Sequence, residues 1–216
     1  MTAHVHRPMW CKICGVTSVI DAKAAADAGA DAIGLNFYAK SARIVSTETA
    51  LEISSALGEY APHCARIGLF VNHSESAVSA VVKEVPLDIL QFHGDESPEF
   101  CESFNVPFIK VLSMRAGVDF ALLEQQYASA WALLLDTYHP TQAGGTGETF
   151  DWRLWPQDSQ TKLILAGGLT VENVANAIAQ TRPYGVDVSG GVERDVKGVK
   201  ERQLVQRFIK ERSEER

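Results

Sequence analysis

Eight short apolar runs alternate with segments of helical period, and no low-complexity stretch divides the 216 residues. Strands and helices in strict alternation require a parallel sheet, and eight such units close a barrel at a length near 200 residues. The sequence therefore predicts an α/β fold, a single-domain (β/α)8 TIM barrel over residues 1–216 with loosely ordered ends at 1–8 and 212–216. An open doubly wound sheet is the alternative. It would carry a Gly-rich dinucleotide turn after its first strand, which Cys14-Gly15-Val16-Thr17 does not supply.

The strands are expected at 9–13, 32–37, 66–71, 88–92, 107–112, 132–135, 162–166 and 184–188. Most of these runs are rich in Val, Ile, Leu and Phe without clean alternation, as in strands buried on both faces. Residues 19–28 have helical spacing and stop at Gly29, a residue suited to ending a helix. Residues 47–57 open on Thr47 as a cap and are followed by Gly58. Further helices are expected at 74–85 before Pro86, 96–104, 118–127, 171–180 with Thr170 as cap, and 202–211. The stretch after Asp151 is the least regular, because Trp155-Pro156 interrupts any helix there.

Hydrophobic residues make up 46% and charged residues 22%, the balance of a globular chain. The net charge of -7 argues against nucleic acid, whose phosphates call for a basic stripe. It leaves room for a small anionic ligand held by backbone N–H groups at a helix start. No apolar run approaches a membrane span, and MTAHVHRPMW lacks a signal-peptide core, so no membrane partner and a cytoplasmic location are expected. Cys11 and Cys14 have no second ligand pair and sit in a strand, where residues three apart face opposite ways. A metal or redox pair is not expected.

In such a barrel the site lies at the C-terminal ends of the strands. Those ends carry Cys14, Asn36 with nearby Arg43, Asn72, His93, Asp136, Gly167-Gly168, and Asp187 with Ser189-Gly190-Gly191. The two glycine pairs follow strands seven and eight, where barrels bind phosphate, although each pair also suits a tight turn. Asp136 closes an apolar run and so either ends a turn or keeps its proton and acts as an acid. Cys14 would need a depressed pKa to act as a base; Lys12, on the same strand face, either supplies it or packs its stem. Arg43 suits a carboxylate partner, His93 a ligand contact or a wall position, and Lys110 the filling of the barrel interior. Ala143-Gly-Gly-Thr-Gly147 reads as a mobile flap over the mouth.

The strings KICG at 12–15, QFHG at 91–94, LLDT at 134–137, GGTGETFDW at 144–152, AGGLTVEN at 166–173 and VDVSGGVE at 186–193 occur in this order. Together they closely resemble the phosphoribosylanthranilate isomerase family of tryptophan biosynthesis. The resemblance runs from about Trp10 to Phe208. It implies a barrel without cofactor or metal and an Amadori rearrangement of N-(5'-phosphoribosyl)anthranilate, a small anionic phosphosugar. It also implies Cys14 as general base, Asp136 as general acid and Arg43 facing the anthranilate carboxylate. His93 and Asp187 would line the substrate site, with Gly167, Gly168, Ser189, Gly190 and Gly191 at the phosphate. The sequence leaves monomer and homodimer both open.

Three positions depart from the family pattern. Ala39 and Ala42 replace prolines in the loop after strand two, and Gly190 replaces a serine. Another phosphosugar barrel enzyme stays open beside this reading. The histidine-pathway isomerase would want an aspartate where Cys14 stands, and the indole-forming synthase a glutamate that closes no strand here. A non-catalytic phosphosugar-binding barrel is the other alternative.

Overall fold

The computed structural model describes residues 9–137 and 149–212. Eight parallel strands run in sequence order around a closed barrel. They are β1 (Trp10–Cys14), β2 (Ala32–Asn36), β3 (Ala65–Phe70), β4 (Ile89–Phe92), β5 (Phe108–Met114), β6 (Ala132–Thr137), β7 (Leu163–Leu165) and β8 (Gly185–Val188). The seam closes where β1 pairs with β8, with Lys12 in register with Asp187. The open doubly wound sheet is thereby excluded.

Among the described residues seven helices pack outside: α1 (Val19–Ala28), α2 (Thr47–Tyr60), α3 (Glu75–Glu84), α4 (Pro98–Glu102), α5 (Phe120–Gln126), α6 (Val174–Thr181) and α7 (Arg202–Glu211). Between β6 and β7 the described residues form only a 3-10 turn, Trp152–Leu154, where Trp155-Pro156 stops further helix. Serine starts the early helices. Ser18, Ser46, Ser74 and Ser97 each accept a hydrogen bond from the backbone N–H three residues on.

The expected cap at Thr47 thus moves to Ser46, and α2 runs through Gly58, since one glycine weakens a helix by only about 1 kcal/mol. Thr170 does not cap α6. Its N–H donates to Asn173 Oδ1 and its hydroxyl accepts from Glu172, so residues 170–173 form a turn before the helix begins.

Each strand buries both faces. Ala32, Ile67, Ile89, Ile109, Val111, Ala132, Leu134, Ile164 and Ala166 fill the interior, while a larger apolar layer separates strands from helices. Period-two alternation assigns Lys110 to the outer layer with Phe108 and Leu112, which corrects its expected place inside the barrel. There its ammonium donates to Gly94 O at 2.5 Å and Glu96 Oε2 at 3.0 Å.

Arg212, expected in a loose end, is instead buried. It donates to Asp31 Oδ2 at 2.8 Å and Gly29 O at 2.7 Å, tying α7 to the turn after α1. The other residues of the expected loose ends, and the Ala143–Gly147 flap, lie outside the described residues.

Candidate active site

β1 brings Lys12 and Cys14 to the same barrel face, and both are buried. Their neighbour in β2 is Gly34, in register with Cys14. A Cβ there would stand 2.9 Å from both Cys14 Sγ and Lys12 Cε, so the missing side chain is the space these two side chains occupy. Lys12 Nζ donates to Asp187 Oδ2 at 2.7 Å across the seam. Ser189 Oγ donates to Cys14 O at 3.0 Å and fixes the end of β1 against the end of β8. Cys11 faces the outer apolar layer instead, so the Cys11/Cys14 spacing brings no pair together.

Asp136 ends β6. Its Oδ1 accepts the N–H of Thr137 at 2.7 Å, and its Oδ2 lies 3.5 Å from His93 Nε2. Gly167, at φ 84°, packs directly on Asp136 and Thr137, where a Cβ would collide with their side chains and backbone. Gly191 lies equally close to the Leu169 backbone and bridges Thr170. The glycine pairs thus seat the loops after β7 and β8 against their neighbours.

One cavity of about 440 Å³ opens among these strand ends, within the size range of small-molecule sites. Cys14, Arg43, His93, Asp136, Gly167, Gly168, Asp187 and Ser189 line it; Gly190 and Gly191 are not part of its wall. The wall also carries Gln91, Tyr38, Lys40 and Lys197, which sequence reasoning did not single out. Their loop and strand positions had no reactive signature beyond charge or polarity.

Burial dominates the electrostatics. It pushes the Asp136 carboxyl up to about 6, with nearby Asp187 adding to the rise and the Thr137 N–H and Lys12 opposing it. Burial, with Lys110 and Lys12, holds His93 down at about 3, so its contact with Asp136 is that of a neutral imidazole, not an ion pair. Burial also raises the Cys14 thiol, and Lys12 and Lys200 only partly offset it. The depressed thiol expected from the sequence is therefore not found: the two ammonium groups do not outweigh the burial. Lys12 itself keeps its charge, because Asp187 and Cys14 together outweigh its burial.

Arg43 is turned by a partner that sequence reasoning missed. Its Nε and Nη2 donate to the two carboxylate oxygens of Glu193 at 2.9 and 2.7 Å. Glu193 closes the string VDVSGGVE, and its charge opposite an arginine was the available signal. Among the described residues no group of three or more His, Cys, Asp or Glu side chains is arranged to hold a metal ion.

Residues 11–211 match the family model described as N-(5'phosphoribosyl)anthranilate (PRA) isomerase. A protein of Cellvibrio japonicus named N-(5'-phosphoribosyl)anthranilate isomerase is 54% identical over 198 residues, which cover 92% of this chain and 90% of that protein. The crystal structure of phosphoribosyl anthranilate isomerase from Thermotoga maritima superposes with a TM-score of 0.84 at 38% identity, covering 94% of this chain and 98% of that one. A second solved structure of such an isomerase, in complex with reduced 1-(o-carboxyphenylamino)-1-deoxyribulose 5-phosphate, gives 0.78 at 34% identity over the same shares of the two chains.

Proposed function

The chain belongs to the N-(5'-phosphoribosyl)anthranilate isomerase family, and on that premise we propose that Cys14 and Asp136 are the general base and general acid of its reaction. The enzyme is an isomerase of tryptophan biosynthesis that converts N-(5'-phosphoribosyl)anthranilate to 1-(2-carboxyphenylamino)-1-deoxyribulose 5-phosphate. The observation that carries the residue assignment is that Cys14 and Asp136 border one cavity and both feel the same Lys12–Asp187 pair.

Asp136, protonated below about pH 6, gives its proton to the furanose ring oxygen as the C1'–O bond breaks. The anthranilate nitrogen supplies its lone pair to C1', forming an iminium. That positive charge acidifies the C2' hydrogen, and the Cys14 thiolate removes it. The C2'–H electrons become the C1'–C2' double bond of an enolamine, which gains a proton at C1' and loses one from the C2' hydroxyl to give the ketone. Because the substrate nitrogen is the electron sink, the steps call for no cofactor. The iminium also favours the thiolate electrostatically at the step where a base is required.

Arg43 is assigned to the aryl carboxylate, His93 and Asp187 to the substrate wall, and the strip Gly167, Gly168, Ser189, Gly190 and Gly191 to the phosphate. The neutrality of His93 supports a hydrogen-bonding role rather than a charged one. The substrate partner is this phosphosugar anion, with no nucleic acid or membrane partner. The proposed setting is cytoplasmic, as a monomer or homodimer; no described helix is long and apolar enough to cross a membrane. Loss of substrate fluorescence on adding purified protein tests the activity. Cys14→Ala should then cut turnover by about 10²–10⁴-fold with KM little changed. Near-normal turnover in that variant would remove the base assignment.

A further inference from the structure

We infer that Glu193 is a positioning residue that sets the aim of Arg43, so that the loop after β8 governs affinity for the aryl carboxylate of the substrate. The inference rests on the assignment of Arg43 to that carboxylate. Of the three guanidinium nitrogens, Nε and Nη2 are bonded to Glu193, and Nη1 has no partner among the described residues. A planar fork with one edge consumed presents its other edge, Nη1 together with the second N–H of Nη2. Arg43 belongs to the cavity wall, so that edge is the one left for a bidentate contact with a carboxylate.

Glu193 is itself fixed. Its Oε1 accepts Lys200 Nζ at 2.6 Å and Gly198 N–H at 3.0 Å, and Lys200 also donates to Ser189 O at 3.2 Å. One carboxylate faces two cations, so the cluster keeps a net positive charge and Arg43 is oriented without being neutralised. Gly190 takes part by omission: a Cβ there would approach Arg43 Nη2 at 3.2 Å. The glycine that replaces the family's serine thus leaves room beside the guanidinium.

A double-mutant cycle on KM and kcat tests this with the full chain. Arg43→Ala should raise KM for N-(5'-phosphoribosyl)anthranilate by about tenfold or more. Glu193→Gln should raise KM by about tenfold while kcat stays within about threefold, and the same change made in Arg43→Ala should move KM by less than about twofold. An unchanged KM in Arg43→Ala would remove the carboxylate assignment and this inference with it. A raised KM in Arg43→Ala, with Glu193→Gln acting equally in both backgrounds or not at all, would overturn the positioning role alone. Glu193→Gln strands the buried Lys200; should it fail to fold, Glu193→Gln combined with Lys200→Met removes the stranded charge and runs through the same cycle with the same criteria.

Discussion

Lys12 and Asp187 face each other in register across the β1–β8 seam, joined at 2.7 Å with both side chains buried. This pair lies at the centre of the site's electrostatics, since it acts on the base at the end of β1 and on the acid at the end of β6. A buried pair contributes little net stability while intact, because desolvation offsets attraction, but breaking it leaves one charge uncompensated.

Lys12→Met should therefore destabilise the protein by about 3–5 kcal/mol. It should also lower turnover, since the ammonium is the first opponent of the burial that raises Cys14. Adding Asp187→Leu should restore much of the stability without restoring turnover. Urea unfolding midpoints and kcat, measured side by side, separate the two effects; recovery of turnover in the double variant would remove the electrostatic role of Lys12.

The pH profile should carry reversed limbs. The acid has its pKa near 6 and the base lies above its ordinary value of 9.0. The productive form, acid protonated and base ionised, is then a small minority, but its fraction is constant between the two values. We expect kcat/KM to fall below about pH 6, to stay flat through neutrality, and to fall again above the thiol pKa. A limb at low pH that matched an ordinary carboxyl would contradict the raised Asp136.

Asp136 should also cost stability at neutral pH. Its folded pKa stands above its unfolded value of 3.8, so the folded state holds the proton more tightly. The resulting stability is complete below about pH 4 and is lost as pH rises through 6, amounting to about 2–3 kcal/mol. Asp136→Asn should be more stable than the parent at pH 8 by roughly that amount, with little difference at pH 4, while losing turnover by about 10²–10⁴-fold. Thermal unfolding at the two pH values checks the sign.

Gly34→Ala should damage the site without altering any charge. The added methyl falls 2.9 Å from Cys14 Sγ and Lys12 Cε, so both must shift. We expect about 1–3 kcal/mol of lost stability and a drop in kcat larger than the change in KM. A fully active Gly34→Ala enzyme would show that the position of the thiol is not critical.

Glu96→Gln should act at a distance through a loop. Glu96 accepts the N–H groups of Asn72 and Gly94 at 2.7 and 2.9 Å and pairs with Lys110, clamping the turns after β3 and β4 that carry His93. Loss of its charge should lower stability by about 3–5 kcal/mol and increase amide exchange at residues 93–95. Unaltered exchange there would deny the clamp.

How much of this was legible in the chain differs element by element. The eight strands were readable because each is an apolar run bounded by turn residues. Cys14, Asp136 and Asp187 were readable because polar residues that close such runs collect at one rim. Boundaries were less so: Ser46 rather than Thr47 caps α2, and Thr170 starts a turn, because caps depend on backbone geometry that neighbouring serines, threonines and asparagines can each satisfy. Lys110 lies on the outer side and not in the interior, a difference hidden in the sequence because a run buried on both faces conceals which parity points inward. Glu193 was missed as the partner of Arg43, which lies 150 residues away in the chain.

The order of apolar and helical segments, by itself, determined a parallel α/β sheet of eight units and the set of groups available at its strand ends, because burial periodicity is a local property of the chain. Closure of the barrel rests on the pairing of β1 with β8. Only the folded molecule decided which charges meet and what they do to one another. Whether Cys14 is a thiol, His93 neutral or Arg43 already engaged depends on desolvation and on partners brought from distant strands, and neither is encoded in any short window of residues.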